Sequence, residues 1–324
     1  MFIITHRKLF LAIGAFIVIV SAIITLTFGL KLGIDFTGGS LTEVGYSTLP
    51  EKALIENALL ALELGHFDVR QSHGELGDSY IITGKTLSVE EQQTLETALA
   101  TLSDDAKVIR NTSVGPVIGE ELKDKAIWAL GAVLIMIILY VALAFIGVGY
   151  PVSSWVYGSM TVLVLFHDIL VPLALMSLLG YFLGYEVDVL FVTALLTILG
   201  YSVNDTIVIF DRVREKLKEF RIEKRTKVKV PGGLDREVVT YTLTRSFAEI
   251  VGIAVRDTMA RSINTSLTVL LALLALYLFG SVVTQTFIII LIAGVVAGAY
   301  SSIFIASPLL VWYADWKSKK ENPA

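Results

Sequence analysis

The chain has 324 residues, of which 55% are hydrophobic and only 17% charged, with a formal net charge of −4 and a mean hydropathy of +0.73. Soluble proteins average about 25% charged residues, so this composition argues against a wholly soluble enzyme. Cysteine is absent, which excludes disulfides, thiolate metal sites and cysteine nucleophiles.

Taken in chain order, the apolar residues fall into runs long enough to cross a bilayer, which takes about 20 helical residues. The first is 9–30, behind His6-Arg7-Lys8. It exceeds the ~7–15 apolar residues of a signal peptide and ends without a small-residue cleavage site, so it is expected to stay attached. Runs at 126–146, 155–179 and 187–210 follow. From 262 to 314 there are 53 uncharged residues, enough for two spans, with a break at Gly280-Ser281 and Thr284-Gln285-Thr286. The expectation is an α-helical polytopic membrane protein with six transmembrane helices.

Between the first two spans the pattern changes to that of a small α+β domain. A strand is expected at 41–48, a helix opening at Pro50 and running to 64, and strands at 68–73 and 79–86 separated by Gly74 and Gly77. Ser88 and Glu91 form a capping box ahead of a helix to about 102, and 106–113 reads as a last strand. The order βαββαβ is the ferredoxin-like split βαβ arrangement. Gly38-Gly39 lacks the Lys-Ser/Thr of a phosphate loop. The four histidines, His6, His66, His73 and His167, are too scattered for a multi-histidine metal site.

Orientation follows from Lys and Arg. The N-terminal tail, the 211–261 segment and the C-terminal tail hold 18 of the 26 basic residues, whereas 31–125 holds 8 against 16 acids. The positive-inside rule then puts 1–30 (tail and first span), 211–261 and 314–324 with their basic ends in the cytoplasm. Residues 31–125 face outside, and 126–210 and 262–313 hold the remaining spans. In 211–261, a charged amphipathic extension of the fourth helix is expected over 211–225, a turn at Pro231-Gly232-Gly233, and a helical or strand-mixed stretch over 234–256. Its basic character suits anionic lipid, and its interspersed acids argue against nucleic acid.

Ionisable residues inside a bilayer are costly unless paired or hydrated, and so point to function. Glu186 and Asp188 lie at the outer start of the fourth span, where an interfacial role is the simpler reading. Asp205 lies seven residues before the interface residue Arg212, about 10 Å deeper, with Tyr201 and Ser202 on its face. Arg261 is placed at the opening of the fifth helix, with Asn264 and Thr265 a turn further in. On residues alone it is equally a partner for Asp205 or an arginine snorkelling to headgroups. His167 and Asp168, mid-way along the third span, diverge by about 100°, so one is expected to hydrogen-bond between helices while the other lines a wet crevice. Asn204 and Asn264 complete the intramembrane polar set. Gly294-x-x-x-Gly298 with Ala299, Ser301 and Ser302 forms a small-residue packing face.

Several motifs, in order, resemble the SecF family of SecD/SecF protein-export subunits. They are Gly33-Ile34-Asp35-Phe36-Thr37-Gly38-Gly39 after the first span, Val114-Gly115-Pro116-x-x-Gly119-x-Glu121-Leu122 before the second, and His167-Asp168. The run from Gly200-Tyr201-Ser202-Val203-Asn204-Asp205-Thr206 to Glu215, Arg261-Ser262-Ile263-Asn264-Thr265-Ser266, and Ser301-Ser302-Ile303-Phe304-Ile305-Ala306-x-Pro308 continue the match. The resemblance implies a non-enzymatic, cofactor-free accessory subunit of the Sec translocase in the bacterial cytoplasmic membrane, both termini inside. It implies half of an RND-type helix bundle, with SecD supplying the other half and SecYEG, YajC and the translocating preprotein as further partners. It also implies proton transport through Asp205, Arg261 and Thr265. The sequence departs from the family in a longer 211–261 loop, in Ser262 for the usual threonine and in Gly252 for an asparagine. Half of an RND-type small-molecule or lipid exporter is the competing reading, and a scaffold without transport activity is a third.

Overall fold

The structure, a computed structural model, describes residues 2–74, 77–103, 105–146, 151–228, 236–280 and 282–321. After a short α1 (Phe2–Thr5), α2 (Arg7–Phe28) is the first span. A single turn, α3 (Ile34–Thr37), leads into β1 (Gly39–Tyr46), α4 (Lys52–Ala61), β2 (Phe67–Gly74), β3 (Gly77–Gly84), α5 (Val89–Ala100) and β4 (Lys107–Val114). The strands form one antiparallel sheet in the order β2-β3-β1-β4, as the ferredoxin-like reading requires. The β2–β3 ladder closes at Gly74–Gly77. Helices α4 and α5 cover one face, burying Val44, Tyr46, Tyr80 and Ile82 against Ile55, Leu59, Leu95 and Leu99. The α5 capping box forms, with Ser88 Oγ accepting from the Glu91 amide at 3.2 Å and Glu91 from the Ser88 amide at 2.8 Å.

The double glycine has a steric reason. Gly38 sits at φ +73°, and a Cβ there would lie 2.6 Å from the Pro116 Cα. A Cβ on Gly119 would in turn meet the Gly38 nitrogen at 2.7 Å. Side chains at either place would push the sheet's lead-in away from the next helix.

That helix, α6 (Pro116–Ala144), opens on Pro116, whose missing N–H costs nothing in a first turn. It begins ten residues before the expected span, because a charged extension precedes the apolar part. The other spans are α7 (Ser154–Leu183), α8 (Val189–Glu219), α9 (Phe247–Phe279) and a last helix in three pieces: α10 (Val282–Ser301), a π-helical turn (Ser302–Ala306) and α11 (Ser307–Glu321). Among the described residues, six helices are long and apolar enough to cross a membrane. Helices α7, α8 and α10 take the interior, while α2, α6 and α9 are mostly peripheral.

Two expectations change at the end of the bundle away from the sheet. Helix α8 stops at Glu219 rather than near residue 225, and β5 (Arg221–Val228) pairs with β6 (Arg236–Leu243) in a hairpin. The β-branched and aromatic content of 238–242 favours a strand over a helix there. The turn expected at Pro231-Gly232-Gly233 lies outside the described residues. Helix α9 starts at Phe247, behind a Ser246/Glu249 capping box, so Arg261 lies well inside the helix and not at its start.

Candidate functional site

Among the described residues, the bundle interior holds two carboxylates, each gripped by serine hydroxyls from neighbouring helices. Asp205 of α8 is 7% exposed. Its Oδ1 accepts from Ser262 Oγ of α9 at 2.6 Å and its Oδ2 from Ser302 Oγ at 2.5 Å. Ser302 is the first residue of the π-helical turn, a local widening that recurs at functional positions in helices.

Asp168 of α7 is fully buried. Its Oδ2 accepts from Ser301 Oγ at 2.8 Å and from Ser202 Oγ of α8, and its Oδ1 lies 2.8 Å from His167 Nδ1. The two neighbours that α-helical geometry sends apart thus bond to each other, and Asp168 alone reaches across to α8 and α10. Pro172, four residues on, has no N–H to give the Asp168 carbonyl, which adds an acceptor to this polar layer.

Close packing sets these distances. A Cβ on Gly294 would lie 2.2 Å from Ile198 Cδ1, and one on Gly298 would lie 3.1 Å from Ser202 Cβ. The Gly-x-x-x-Gly face of α10 therefore lies against α8 at the level of the serines. Close approach of backbones through small residues is what lets short hydroxyls span two helices.

The remaining expected site residues face away. Arg261, Asn264, Thr265 and Asn204 are exposed, on the outer sides of α9 and α8. Arg261 has no hydrogen bond or ion pair among the described residues, and it does not meet Asp205; the adjacent Ser262 does. Thr265 Oγ1 donates to the Arg261 and Ser262 carbonyls of its own helix, at 3.0 and 2.9 Å. Tyr201 donates to Ser266 Oγ at 3.0 Å, tying α8 to α9 beside the Asp205 contact. Ser262 and Ser302 are the functional candidates that sequence reading did not single out as ligands of Asp205. Their signal was the small-residue face and the residue following Arg261.

At the sheet end, the α7–α8 connection is stitched to the α2–α3 connection. The Val187 amide donates to the Lys31 carbonyl at 2.7 Å and the Gly33 amide to the Val187 carbonyl at 2.8 Å. Lys31 Nζ binds Asp68 of β2 and lies 3.2 Å from Glu186, and the Arg70 guanidinium lies over the Tyr185 ring at 4.3 Å. Asp188 caps α8, accepting from the Phe191 amide at 2.8 Å, while Asp35 accepts from the Val189 amide at 3.0 Å. Burial pushes the Glu186 and Asp188 carboxyls up, against the Lys31 charge in the first case and the Phe191 amide in the second. The Lys31 hydrogen bond holds Asp68 below the usual carboxylate range. A cleft of about 510 Å³ lies between these helix ends and the free face of the sheet, lined by Glu43, Arg70 and Arg110 among others. Glu186 and Asp188 thus stand at the sheet end of the bundle, outside its interior layer.

Comparison with known proteins decides the family. The profile of the C-terminal SecD/SecF protein-export membrane protein family matches residues 94–316, and that of the SecD/SecF GG motif matches residues 23–48. The protein translocase subunit SecF of Thermobaculum terrenum is 34% identical over 98% of this chain and 94% of its own. The chain belongs to the SecF family. SecF of Anaerolinea thermophila is likewise 34% identical, over 98% of this chain and 97% of its own. The crystal structure of SecDF, a translocon-associated membrane protein from Thermus thermophilus, superimposes with a TM-score of 0.79 at 28% identity, covering 96% of this chain. A SecDF structure in the super-membrane-facing form gives 0.64 at the same identity. This chain spans only 38% of the SecDF chain. The SecD/SecF GG motif coincides with Gly38, packed against α6, and Gly39, packed against Gly84 of β3, and the longer profile takes in both buried carboxylates.

Proposed function

We propose that this member of the SecF family is one half of a proton-driven accessory complex of the Sec translocase, with Asp205 as its proton-binding group. It is an ion-coupled transport protein without covalent chemistry. A SecD-type protein supplies the other six helices and packs on the exposed side of α8 and α9, where Asn204, Arg261, Asn264 and Thr265 lie. The larger SecDF chain, of which this one matches 38%, supports that division.

The observation behind the reading is the Asp205 environment. A carboxylate at this depth with hydroxyl donors and no paired cation among the described residues is costly when ionised. Protonation removes the charge and changes what Ser262 and Ser302 hold, so proton binding is linked to the packing of α8 on α9 and α10. Arg261, one residue from Ser262, lies about 100° around α9 from it, so a rotation of that helix by about this angle brings the guanidinium to the same carboxylate. The complex sits in the bacterial cytoplasmic membrane with both termini inside, and its sheet domain acts on the preprotein outside, next to SecYEG and YajC.

The test is a variant series scored by uncoupler-sensitive protein export into inverted membrane vesicles. Arg261→Ala abolishes the stimulation. Arg261→Lys fails as well, since an ammonium does not reproduce a forked guanidinium contact, and Thr265→Val gives a partial defect. Full stimulation with Arg261→Ala contradicts the assignment. Co-purification in mild detergent checks that each variant still assembles with its six-helix partner.

A further inference from the structure

The proton-driven reading employs Asp205 and leaves a second buried carboxylate without a task. Asp168 and His167 are 0% and 2% exposed. Among the described residues, the polar side chains that bond Asp168 are hydroxyls and one imidazole: Ser202 from α8, Ser301 from α10 and His167 from its own helix. The ring of Tyr300 lies beside His167, centroids 6.1 Å apart. Helices α2, α6 and α11 also pack on α7, but the charged residues of α2 are confined to its first two positions, those of α6 to its first ten and those of α11 to Asp315 and beyond. His167 Nε2 is buried with no partner among the described residues, and an orphaned polar atom at such a depth calls for an explanation.

The two carboxylates share their supports. Ser202, which holds Asp168, is three residues before Asp205 on α8. Ser301 and Ser302, adjacent in sequence, hold one carboxylate each. Two negative charges on the adjacent helices α7 and α8, with no Lys or Arg beside either among the described residues, repel strongly in a low-dielectric interior. One imidazolium relieves that repulsion.

From this geometry we infer that the His167–Asp168 pair is a second proton-binding site whose occupancy is coupled to that of Asp205. With His167 neutral and Nδ1–H donating to Asp168, a proton added at the open Nε2 gives an imidazolium–carboxylate pair of zero net charge. Its removal restores a net charge of −1, and no other bond is made or broken. Loss of the proton from Asp205 favours its uptake at His167, so the site holds a proton in the interior while the first is empty. The inference rests on Asp205 being a proton-binding group.

The experiment is solid-state NMR of the full-length chain, ¹⁵N-labelled at histidine, in lipid bilayers, with the His167 signal assigned by its loss in His167→Gln. Imidazole and imidazolium nitrogens have separate shifts, so the titration is read directly, without an export assay. His167 is expected to titrate, to do so at lower pH in Asp205→Asn, where the neighbouring charge is gone, and at lower pH again in Asp168→Asn. Unchanged signals from His6 and His66 in the variants report an intact fold. A His167 that keeps one protonation form from about pH 5 to 8, where ordinary histidines titrate, overturns the proposal even if neither aspartate variant folds. An identical midpoint in wild type and Asp205→Asn overturns the coupling. A failed proton-driven reading shows separately, as undiminished uncoupler-sensitive export in Asp205→Asn.

Discussion

Ser262 Oγ donates to Asp205 Oδ1 at 2.6 Å, while the side chain of Arg261, the residue before it, faces out of the bundle. On the proposed reading, the same helix offers the carboxylate a hydroxyl in this state and, after turning by about 100°, the spacing of adjacent helical residues, a guanidinium instead. An exchange of this kind is a two-state element that proton binding can bias.

The second serine is the simpler one to test. Ser302→Ala removes a 2.5 Å hydrogen bond to a buried carboxylate and is expected to cost about 2 kcal/mol, within the range for hydrogen bonds to charged groups. The readout is thermal unfolding in mild detergent. On the proposed reading export stimulation is expected to fall with it, because the π-helical turn loses its link to Asp205.

Helix spacing gives a second prediction. Gly294→Val places atoms where Ile198 already sits, at 2.2 Å from the glycine's Cβ position, and overpacking of this kind costs about 1–3 kcal/mol. Gly131→Ala on α6 meets nothing within 4 Å and is expected to be neutral or mildly stabilising, as alanine favours helix over glycine. Paired melts of the two variants separate a packing role from a general intolerance of change at glycine.

Much of this arrangement was legible in the sequence, and the illegible part has a physical cause. A charge inside an apolar run stands out in one dimension, so Asp205 and Asp168 were visible, as was the sheet domain through its Ser88/Glu91 cap and βαββαβ order. The hydroxyl partners were not assigned, because serine is common in membrane helices and the register between two helices depends on contacts such as Gly294 with Ile198. The start of α9 was misplaced by some fifteen residues. The stretch over 234–256 reads as helical or strand-mixed, and the long uncharged run after Arg261 places the helix start there, whereas the Ser246/Glu249 capping box sets it at Phe247. The outward placement of Arg261 follows from that longer helix.

The latch at the sheet end predicts a pH and charge dependence. Asp68 is held below its ordinary value of 3.8 by Lys31, so its contribution is complete above that pH and is lost as pH falls through the lowered value. Burial raises Glu186 above 4.5; its linkage runs the other way, present below 4.5 and lost as pH rises through the raised value. Acidification therefore breaks the Lys31–Glu186 pair before the Lys31–Asp68 pair. Lys31→Met breaks both at neutral pH. Spin labels at Thr94→Cys and Phe182→Cys are expected to show a broadened distance distribution in that variant, and an unchanged one would mean the backbone bridge at Val187 suffices.

Topology is checked with single thiols, which the cysteine-free chain makes unambiguous. Thr94→Cys is expected to react with an impermeant reagent from outside intact cells, and Lys218→Cys only after the cytoplasmic face is opened. The opposite pattern would invert the orientation drawn from the basic residues.

The central claim is that Asp205 couples proton entry to export. Asp205→Asn keeps the side-chain volume and fixes the neutral form, so the protein should fold, assemble with its six-helix partner and leave basal export intact. In inverted membrane vesicles, the uncoupler-sensitive part of export is predicted to disappear in this variant. Retention of full uncoupler-sensitive stimulation by Asp205→Asn, in complexes shown to be assembled, would contradict the account.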